Sequence, residues 1–363
     1  MTSFSDAAPW DWPAAGWITR AQMRQIPALE RSDSERLPPS PSVSVLMMTR
    51  NHQHYLEQAV MSVLEQDLQE PFELLIGEDH SADGTLELAF SLQCRHPERI
   101  RVLHADRNVG ITANFLRLVA QARAPFLALL EGDDYWTHPG KLRLQLELLR
   151  ASPSAALAAA ATANRMAWLP IKPAYGLVDL LRRYAVHTST LLIRAEHLAS
   201  YPRFPDIIGW ETMLLGYLLA RGDCAYLDLT VSFYRRHEGG LWHNADRMDR
   251  LVRSQQCIDA LQAYFFQRFQ PELLSRELWI YSLDLALPPV GRRAHWLQSW
   301  RVLIVLLPRL WRRAPLPWLR MLIQTSLQPL TVTCFALRRR AALRRRAALR
   351  SRMRRLRLSI LQF

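Results

Sequence analysis

The alternation of apolar and polar positions changes near residue 43 and from there predicts a regular series of strands and helices. Segments of about a dozen residues have the i, i+3, i+4 spacing of amphipathic helices, and strand-length apolar runs separate them. The runs lie at 43–48, 72–77, 100–103 and 126–130, and the helical segments at 55–66, 84–94 and 111–122. Strands that alternate with helices predict an α/β fold with a mostly parallel sheet flanked by helices.

Polar clusters follow these predicted strands at the point where each one ends. In open α/β sheets, ligands bind outside the carboxyl ends of the strands, so the clusters are candidate binding residues. They comprise Thr49, Arg50 and Asn51 after the first strand, residues 78–85 after the second, 106–110 after the third and 131–136 after the fourth.

The cluster after the fourth strand contains three carboxylates within four residues, Glu131, Asp133 and Asp134. Three such groups repel one another, and a hard divalent cation relieves that repulsion. Mg²⁺ and Mn²⁺ take oxygen ligands, often one or two carboxylates together with substrate phosphates. We therefore expect a cation site here, the alternative being a solvated acidic turn.

Three other strand-end residues allow two interpretations each. Asp79 could accept hydrogen bonds from a base or a ribose, or it could cap the turn into the next helix together with Ser81. Arg50 and Arg107 could face a diphosphate, or they could be ordinary surface arginines.

The second half of the pattern predicts a helix near 210–220, a strand near 225–227 and helical structure over 247–283. Glu211, at the start of the first of these helices, could act as a general base, or it could be an acid favoured by the helix dipole. His237 could be a metal or phosphate ligand, or a loop histidine.

Composition narrows the class of protein. Of 363 residues, 49% are hydrophobic and 22% charged, which excludes a fully disordered chain and a small disulfide scaffold. The four cysteines are far apart and are expected to be reduced core thiols.

The net charge of +13 comes from the end of the chain. Residues 285–363 contain 18 of the 46 basic residues and no acid, which leaves 28 basic against 33 acidic residues before them. The hexapeptide RRRAAL occurs twice from residue 338, and an arginine cluster next to anionic lipid favours membrane contact. Nucleic acid is not an expected partner, because the tail lacks interleaved aromatic residues. Residues 321–337 are too short and too interrupted for the roughly 20 apolar residues of a spanning helix.

The ordered set of motifs resembles family 2 glycosyltransferases of the GT-A fold. The segments are VSVLMMTRN at 43–51, IGEDHSADGT at 76–85, NVGITANF at 108–115, LLEGDDYWTHPGKLRLQLELL at 129–149, and a run at 209–240 that is similar to the acceptor side. The resemblance implies a nucleotide-sugar donor, a UDP-sugar first among the candidates, a divalent metal (Mn²⁺ or Mg²⁺) and inversion at the anomeric carbon.

Carried over by position, the resemblance places the catalytic base at Glu211, and the metal ligands at Asp133, Asp134 and His237. Glutamate stands at 78, 131 and 211 where aspartate is commoner in the family, so Asp206 is an alternative base. The expected donor-binding residues are Thr49, Arg50, Asn51, Glu78, Asp79, Arg107, Asn108, Glu131 and Asp133.

The expected organisation is an irregular lead-in over 1–41, a GT-A domain over 42–245, a helical extension over 246–337 and an Arg-rich tail over 338–363. Within the domain, 42–150 is the nucleotide-sugar half and 151–245 the acceptor half. The expected reaction is transfer of one sugar to a saccharide or lipid-linked acceptor in cell-surface polysaccharide or glycolipid assembly. The expected location is the cytoplasm, at the inner face of the plasma membrane.

Two other functions are compatible with parts of the pattern. A nucleotidyltransferase uses a similar nucleotide-binding sheet, but it carries a glycine-rich loop after the first strand, and residues 49–52 contain no glycine. A degenerate transferase domain with a basic tail that binds nucleic acid or membrane is disfavoured by the retained acids.

Overall fold

The structure, a computed structural model, describes residues 16–163, 172–182, 186–203, 209–240 and 247–265. The strands are β1 (Trp17–Thr19), β2 (Leu29–Arg31), β3 (Val43–Thr49), β4 (Phe72–Glu78), β5 (Ile100–His104), β6 (Phe126–Glu131), β7 (Tyr135–Trp136), β8 (Ala155–Ala163), β9 (Ala174–Tyr175), β10 (Leu192–Arg194), β11 (Ser200–Pro202) and β12 (Asp223–Phe233). The α-helices are α1 (Arg20–Met23), α2 (Leu56–Leu64), α3 (Thr85–Arg95), α4 (Ile111–Gln121), α5 (Lys141–Ala151), α6 (Leu177–Arg182), α7 (Trp210–Leu219) and α8 (Arg247–Tyr264).

The centre of the main sheet is parallel, with strand order β5-β4-β3-β6. Every residue of β3 and β4 is buried, as expected for strands covered on both faces. The chain runs from β3 outward to β5 and then returns to the other side of β3 with β6. This reversal creates a topological switch point at the carboxyl ends of β3 and β6, where ligands bind in such sheets. The expected α/β class with a mostly parallel sheet flanked by helices is confirmed.

The second half of the domain extends the same sheet with mixed strand directions. Strand β10 is antiparallel to both β6 and β8, while β12 runs parallel to β8. The short strand β7, which follows the acidic cluster, pairs antiparallel with the end of β12. This pairing brings residues 234–240, which follow β12, next to the acids that follow β6.

The lead-in differs from the irregular segment that was expected. Its strand β2 pairs antiparallel with β5 at the edge of the main sheet, and β1 pairs with β11. Arg101 on β5 donates two hydrogen bonds to Glu30 on β2, at 2.8 and 2.9 Å. Residues 16–41 are therefore part of the folded domain.

A buried ion network lies on β4 at the end away from the strand-end clusters. The Glu73 side chain has no exposed surface, and one of its oxygens accepts a hydrogen bond from Ser44 Oγ at 2.6 Å. The other accepts from Arg101 Nη1 at 3.1 Å and from Arg123 Nε at 2.8 Å. The buried negative charge of Glu73 is therefore paired with two arginines, and this pairing offsets the cost of burying a charge.

Several expectations about the rest of the chain can be checked only in part. Helix α8 agrees with the helical structure expected from residue 247, whereas residues 266–363, with the Arg-rich tail, lie outside the described residues. Cys224 and Cys257 are buried free thiols as expected, but Cys94 is exposed. Across the described ranges, no helix combines the length and apolar character that crossing a membrane would require.

Candidate active site

The loops after β3, β4 and β6 meet through their backbones at the switch point. The carbonyl of Thr49 accepts the Asp79 N–H at 3.1 Å, and the carbonyl of Met48 accepts the Gly132 N–H at 2.8 Å. A Cβ at position 132 would lie 2.5 Å from Thr49 Oγ1 and 3.1 Å from His52 Nδ1. Glycine is therefore required for the acidic loop to lie this close to the end of β3.

Asp79 connects the loop after β4 to the loop after β5. Its two carboxylate oxygens accept hydrogen bonds from the N–H groups of Val109 at 2.7 Å and Gly110 at 3.1 Å, and 4% of the residue is exposed. The turn-capping alternative for Asp79 is thus replaced by a bridge between loops. Contact with a nucleoside stays a prediction.

Glu78 is fully buried beside Asp79. Its Oε1 accepts the Ser81 N–H at 2.7 Å, and its Oε2 has no hydrogen-bond partner within the described part of the chain. The backbone carbonyl of Glu78 accepts a hydrogen bond of 2.6 Å from Arg117 Nη2. Arg117 itself is buried and also donates to the carbonyl of Pro27, so it attaches the lead-in to this edge of the sheet.

The remaining donor-side candidates are exposed at the same edge. Asn51 has a positive φ of 56°, and its side-chain oxygen accepts the Ala82 N–H at 2.8 Å. Asn108 Oδ1 accepts the Gly110 N–H at 2.7 Å. Both asparagines therefore shape their loops. Arg50 and Arg107 are exposed, and for each of them the diphosphate-binding and the surface interpretation stay open.

Two imidazole rings lie next to the Asp133 carboxylate. Its Oδ2 lies 3.0 Å from His237 Nε2 and 3.6 Å from His52 Nε2. Burial would raise the pKa of Asp133, but the hydrogen bond from His237 and the charges of the two imidazoles lower it overall. For His52, burial lowers the pKa and so favours the neutral ring.

A second group of possible metal ligands lies deeper. One ligand atom each of Glu131, Asp134 and His187 lies within 4.8 Å of the others, a separation that one cation could bridge. Burial and the neighbouring Asp133 and Glu211 charges raise the pKa of Glu131 to about 7, although a hydrogen bond with Thr188 opposes this. The Oε2 atom of Glu131 is buried and finds no hydrogen-bond partner among the described residues.

Asp134 belongs to this deeper group. Burial, followed by the negative charges of Asp133 and Glu131, raises the pKa of Asp134 well above its usual value. Together the three acids form a cluster of negative charge with little solvent, which is an environment that fits a divalent cation. The structure therefore separates the expected ligands, with Asp133 and His237 on one side and Asp134 with Glu131 on the other.

Arg235 attaches the loop after β12 to the acidic loop. Its backbone N–H donates to Asp134 Oδ1 at 2.9 Å, and its Nε donates to the Asp133 carbonyl at 2.8 Å. The guanidinium also lies over the rings of Tyr55 and Tyr135, at 4.8 and 5.2 Å from their centroids. These contacts fix the position of His237 two residues later.

Glu211 lies in the first turn of α7, which begins after Gly209 in a left-handed conformation (φ 106°). Its negative charge contributes to the raised pKa of Glu131, so the acid from the second half of the domain acts on the acidic cluster. The alternative base, Asp206, lies outside the described residues.

Three residues of this site were not identified from the sequence, namely His52, His187 and Arg235. His52 and His187 occur in polar strings at the ends of predicted elements, which is the signal that could have found them. Arg235 lies two residues before His237, but one arginine among many gives no indication of its contacts.

Residues 44–207 match the family model for glycosyl transferase family 2. Uncharacterized protein Rv1520 of Mycobacterium tuberculosis is 29% identical over 56% of this chain and 61% of its own length. The GalNAc(5)-diNAcBac-PP-undecaprenol beta-1,3-glucosyltransferase of Campylobacter jejuni is 32% identical over 26% of this chain and 30% of its own.

The crystal structure of Staphylococcus aureus TarS 1-349 in complex with UDP aligns with a TM-score of 0.49 and 16% identity, over 66% of this chain and 72% of that one. In the sequence comparisons, the chain spans about three fifths of the length of Rv1520 and a smaller share of the Campylobacter enzyme. The family resemblance drawn from the motifs is confirmed, since residues 44–207 match the glycosyl transferase family 2 model.

Proposed function

We propose that the protein is an inverting, metal-dependent glycosyltransferase that moves one sugar from a nucleotide-sugar to an acceptor hydroxyl. The observation that carries this proposal is the convergence at one sheet edge. Thr49, Asp79 and the acidic loop meet at the switch point, and the charge of Glu211 acts on the same acids. A donor site and a basic group for the acceptor are thereby brought together, which removes entropy from the barrier.

On the donor side, the nucleoside lies against the ends of β3 and β4. Thr49 and Asp79 contact it, with Glu78 beside them, and a UDP-sugar is the first donor to test. Arg50 and Arg107 are exposed at this edge and are suited to meet the diphosphate. Asn51 and Asn108 hold the loops that frame it.

The cation is Mn²⁺ or Mg²⁺, held at the acidic loop. The residues present suit it, since several carboxylates and imidazoles converge there and a buried Glu131 oxygen lacks a partner. When bound, a divalent cation neutralises the charge that grows on the leaving diphosphate. Asp133, Asp134 and His237 are the ligands assigned by the family resemblance.

Glu211 takes the proton of the acceptor hydroxyl. The hydroxyl oxygen forms a bond to the anomeric carbon on the face opposite the diphosphate, while the bond from that carbon to the diphosphate oxygen breaks. This single displacement inverts the configuration. The glutamate side chain is one methylene longer than the aspartate commoner in the family, so the acceptor oxygen sits correspondingly further from the helix backbone.

Replacement of Glu211 by glutamine tests the assignment of the base. We expect transfer to fall by about 10²- to 10⁴-fold, the usual contribution of a general base, while calorimetry shows UDP binding in the presence of Mn²⁺ unchanged. Glu238→Gln, in the exposed loop after β12, is the control and should keep transfer near the wild-type rate. Near-normal turnover in Glu211→Gln would place the base elsewhere, with Asp206 the next residue to test.

The acceptor is a saccharide or a lipid-linked saccharide, as in cell-surface polysaccharide or glycolipid assembly. The Campylobacter relative, whose name includes a polyprenyl-linked substrate, supports a lipid-linked acceptor. We propose further that the Arg-rich tail holds the protein at an anionic, cytoplasmic membrane face. Flotation with anionic liposomes should recover the full chain more strongly than a chain ending near residue 290, and equal recovery would refute this role of the tail.

A further inference from the structure

The imidazoles of His52 and His237 approach the same carboxylate oxygen from different loops. His52 follows β3 and His237 follows β12, yet their Nε2 atoms lie 3.6 and 3.0 Å from Asp133 Oδ2. The centroids of the two rings are 6.2 Å apart, and the ring planes are almost perpendicular. A nitrogen and a carboxylate oxygen that bind the same metal ion lie at about these distances from each other, since each bond is about 2.0–2.2 Å long.

The ring of His52 is held in this orientation by the end of β3. Its Nδ1 atom is hydrogen-bonded to Thr49 Oγ1 at 3.2 Å, which leaves Nε2 directed at Asp133. A hydrogen bond to the other ring nitrogen is how metal-binding histidines are usually oriented.

The aspartate of this group is more exposed than the aspartate of the deeper group, which comprises Glu131, Asp134 and His187. The side chains of His52 and Asp133 are 17% and 20% exposed, against 2% for Asp134. In addition, Asp134 already accepts the Arg235 N–H. A cation that arrives with a diphosphate must remain in contact with the donor, so the group that contains Asp133 is the better position for it.

We propose that His52 is a third protein ligand of the cation, through Nε2, so that the cation lies between His52, Asp133 and His237. Asp134, which the family resemblance assigns as a ligand, then stays in the deeper group and does not bind the cation. This inference rests on the proposed function, because it concerns the cation that supports transfer. It also has a consequence for metal choice. Two imidazole nitrogens favour first-row transition metals over Mg²⁺, which prefers oxygen ligands.

Electron paramagnetic resonance with Mn²⁺ as the probe tests the proposal without turnover. Titration of the full chain with Mn²⁺, in the presence of UDP, gives the affinity of wild type, His52→Gln and the control His54→Gln, whose ring is exposed two residues further on. We expect His52→Gln to weaken Mn²⁺ binding by about tenfold or more and Mg²⁺ binding by less. The control His54→Gln should bind Mn²⁺ as the wild type does.

Spin-echo modulation on the wild-type protein with ¹⁵N-labelled histidine counts the imidazole nitrogens on Mn²⁺ and requires no variant to fold. The proposal expects two nitrogens in wild type and one in His52→Gln. One nitrogen in wild type, or unchanged Mn²⁺ affinity in His52→Gln, would overturn the proposal and leave the glycosyltransferase assignment standing. If Mn²⁺ binding is lost in His187→Gln but kept in His52→Gln, the cation lies in the deeper group and the proposal is overturned. No Mn²⁺ binding by wild type with UDP would overturn both the proposal and the metal dependence.

Discussion

Replacement of Lys141 by methionine should stabilise the protein at neutral and lower pH and remove a pH dependence that the wild type shows. Lys141 is fully buried at the start of α5, and its Nζ has no hydrogen-bond partner among the described residues. Burial lowers the pKa of Lys141 from 10.5 to about 7. Among the described residues, the ring of Trp136, whose centroid is 4.2 Å from Nζ, interacts favourably with the charged form.

The magnitude follows from the difference between the folded and unfolded pKa values. A depressed lysine pKa means that the unfolded chain binds more protons between about pH 7 and pH 10.5, so stability rises with pH across that window. A gap of about 3.5 pKa units corresponds to about 5 kcal/mol of destabilisation below pH 7. A desolvated cation–π contact offsets up to about 2 kcal/mol of a charge burial. We therefore expect the free energy of unfolding of Lys141→Met to exceed that of the wild type by about 3–5 kcal/mol at pH 6 and by little at pH 10.5.

The chain offers a matched control, because Lys141 and Lys172 are its two lysines. Lys172 is exposed and forms a surface ion pair with Asp179 at 2.6 Å, so Lys172→Met should change stability by less than about 1 kcal/mol. Denaturant unfolding at pH 6, 8 and 10 gives the free energies, and NMR of ¹³C-labelled lysine gives two resonances with their own pKa values. Two resonances that both titrate near 10.5 would refute the reasoning, as would equal pH slopes for wild type and Lys141→Met.

Two further variants test the contacts that hold the domain and its site. Glu73→Gln leaves two arginines facing a neutral side chain in the core, so unfolding by urea should show a loss of about 3 kcal/mol or more. Glu57→Gln, which removes an exposed ion pair, should lose less than about 1 kcal/mol, and equal losses would contradict a role for the Glu73 network. Arg235→Lys keeps the charge but loses the planar donor geometry. We expect it to weaken Mn²⁺ binding with UDP, and unchanged affinity would show that Arg235 does not position the acidic loop.

The strands and helices between residues 43 and 131 could be predicted to within two residues at each end, because burial and periodicity agree there. Strands β3 and β4 are apolar and covered on both faces, and the helices between them have clear apolar faces. The acids after β4 and β6 could be expected at one edge because parallel strands place their carboxyl ends together. This part of the site therefore follows from local pattern and one topological rule.

Two elements of the second half show where local pattern fails. Residues 155–163 are mostly alanine, which favours helix, yet they form β8 because they are buried between β10 and β12. Residues 141–149 alternate polar and apolar in the manner of a strand, yet they form α5, whose buried residues Lys141, Leu142, Gln145, Leu146 and Leu149 follow a helical period. In both segments the surrounding structure decides between two conformations that the sequence permits.

The family resemblance indicates His237, but His52 and His187 could not be predicted, for a different physical reason. His52, His187 and His237 lie on three separate connections, and their only common feature is that each connection ends at the switch-point edge of the sheet. The pairing of β7 with the end of β12 places His237 on Asp133, and the close approach of Gly132 to Thr49 places His52 there as well. The mixture of nitrogen and oxygen donors around the acids is thus set by strand order and by one glycine. A side chain at position 132 would press on Thr49 and His52, so a change at Gly132 would also alter metal binding.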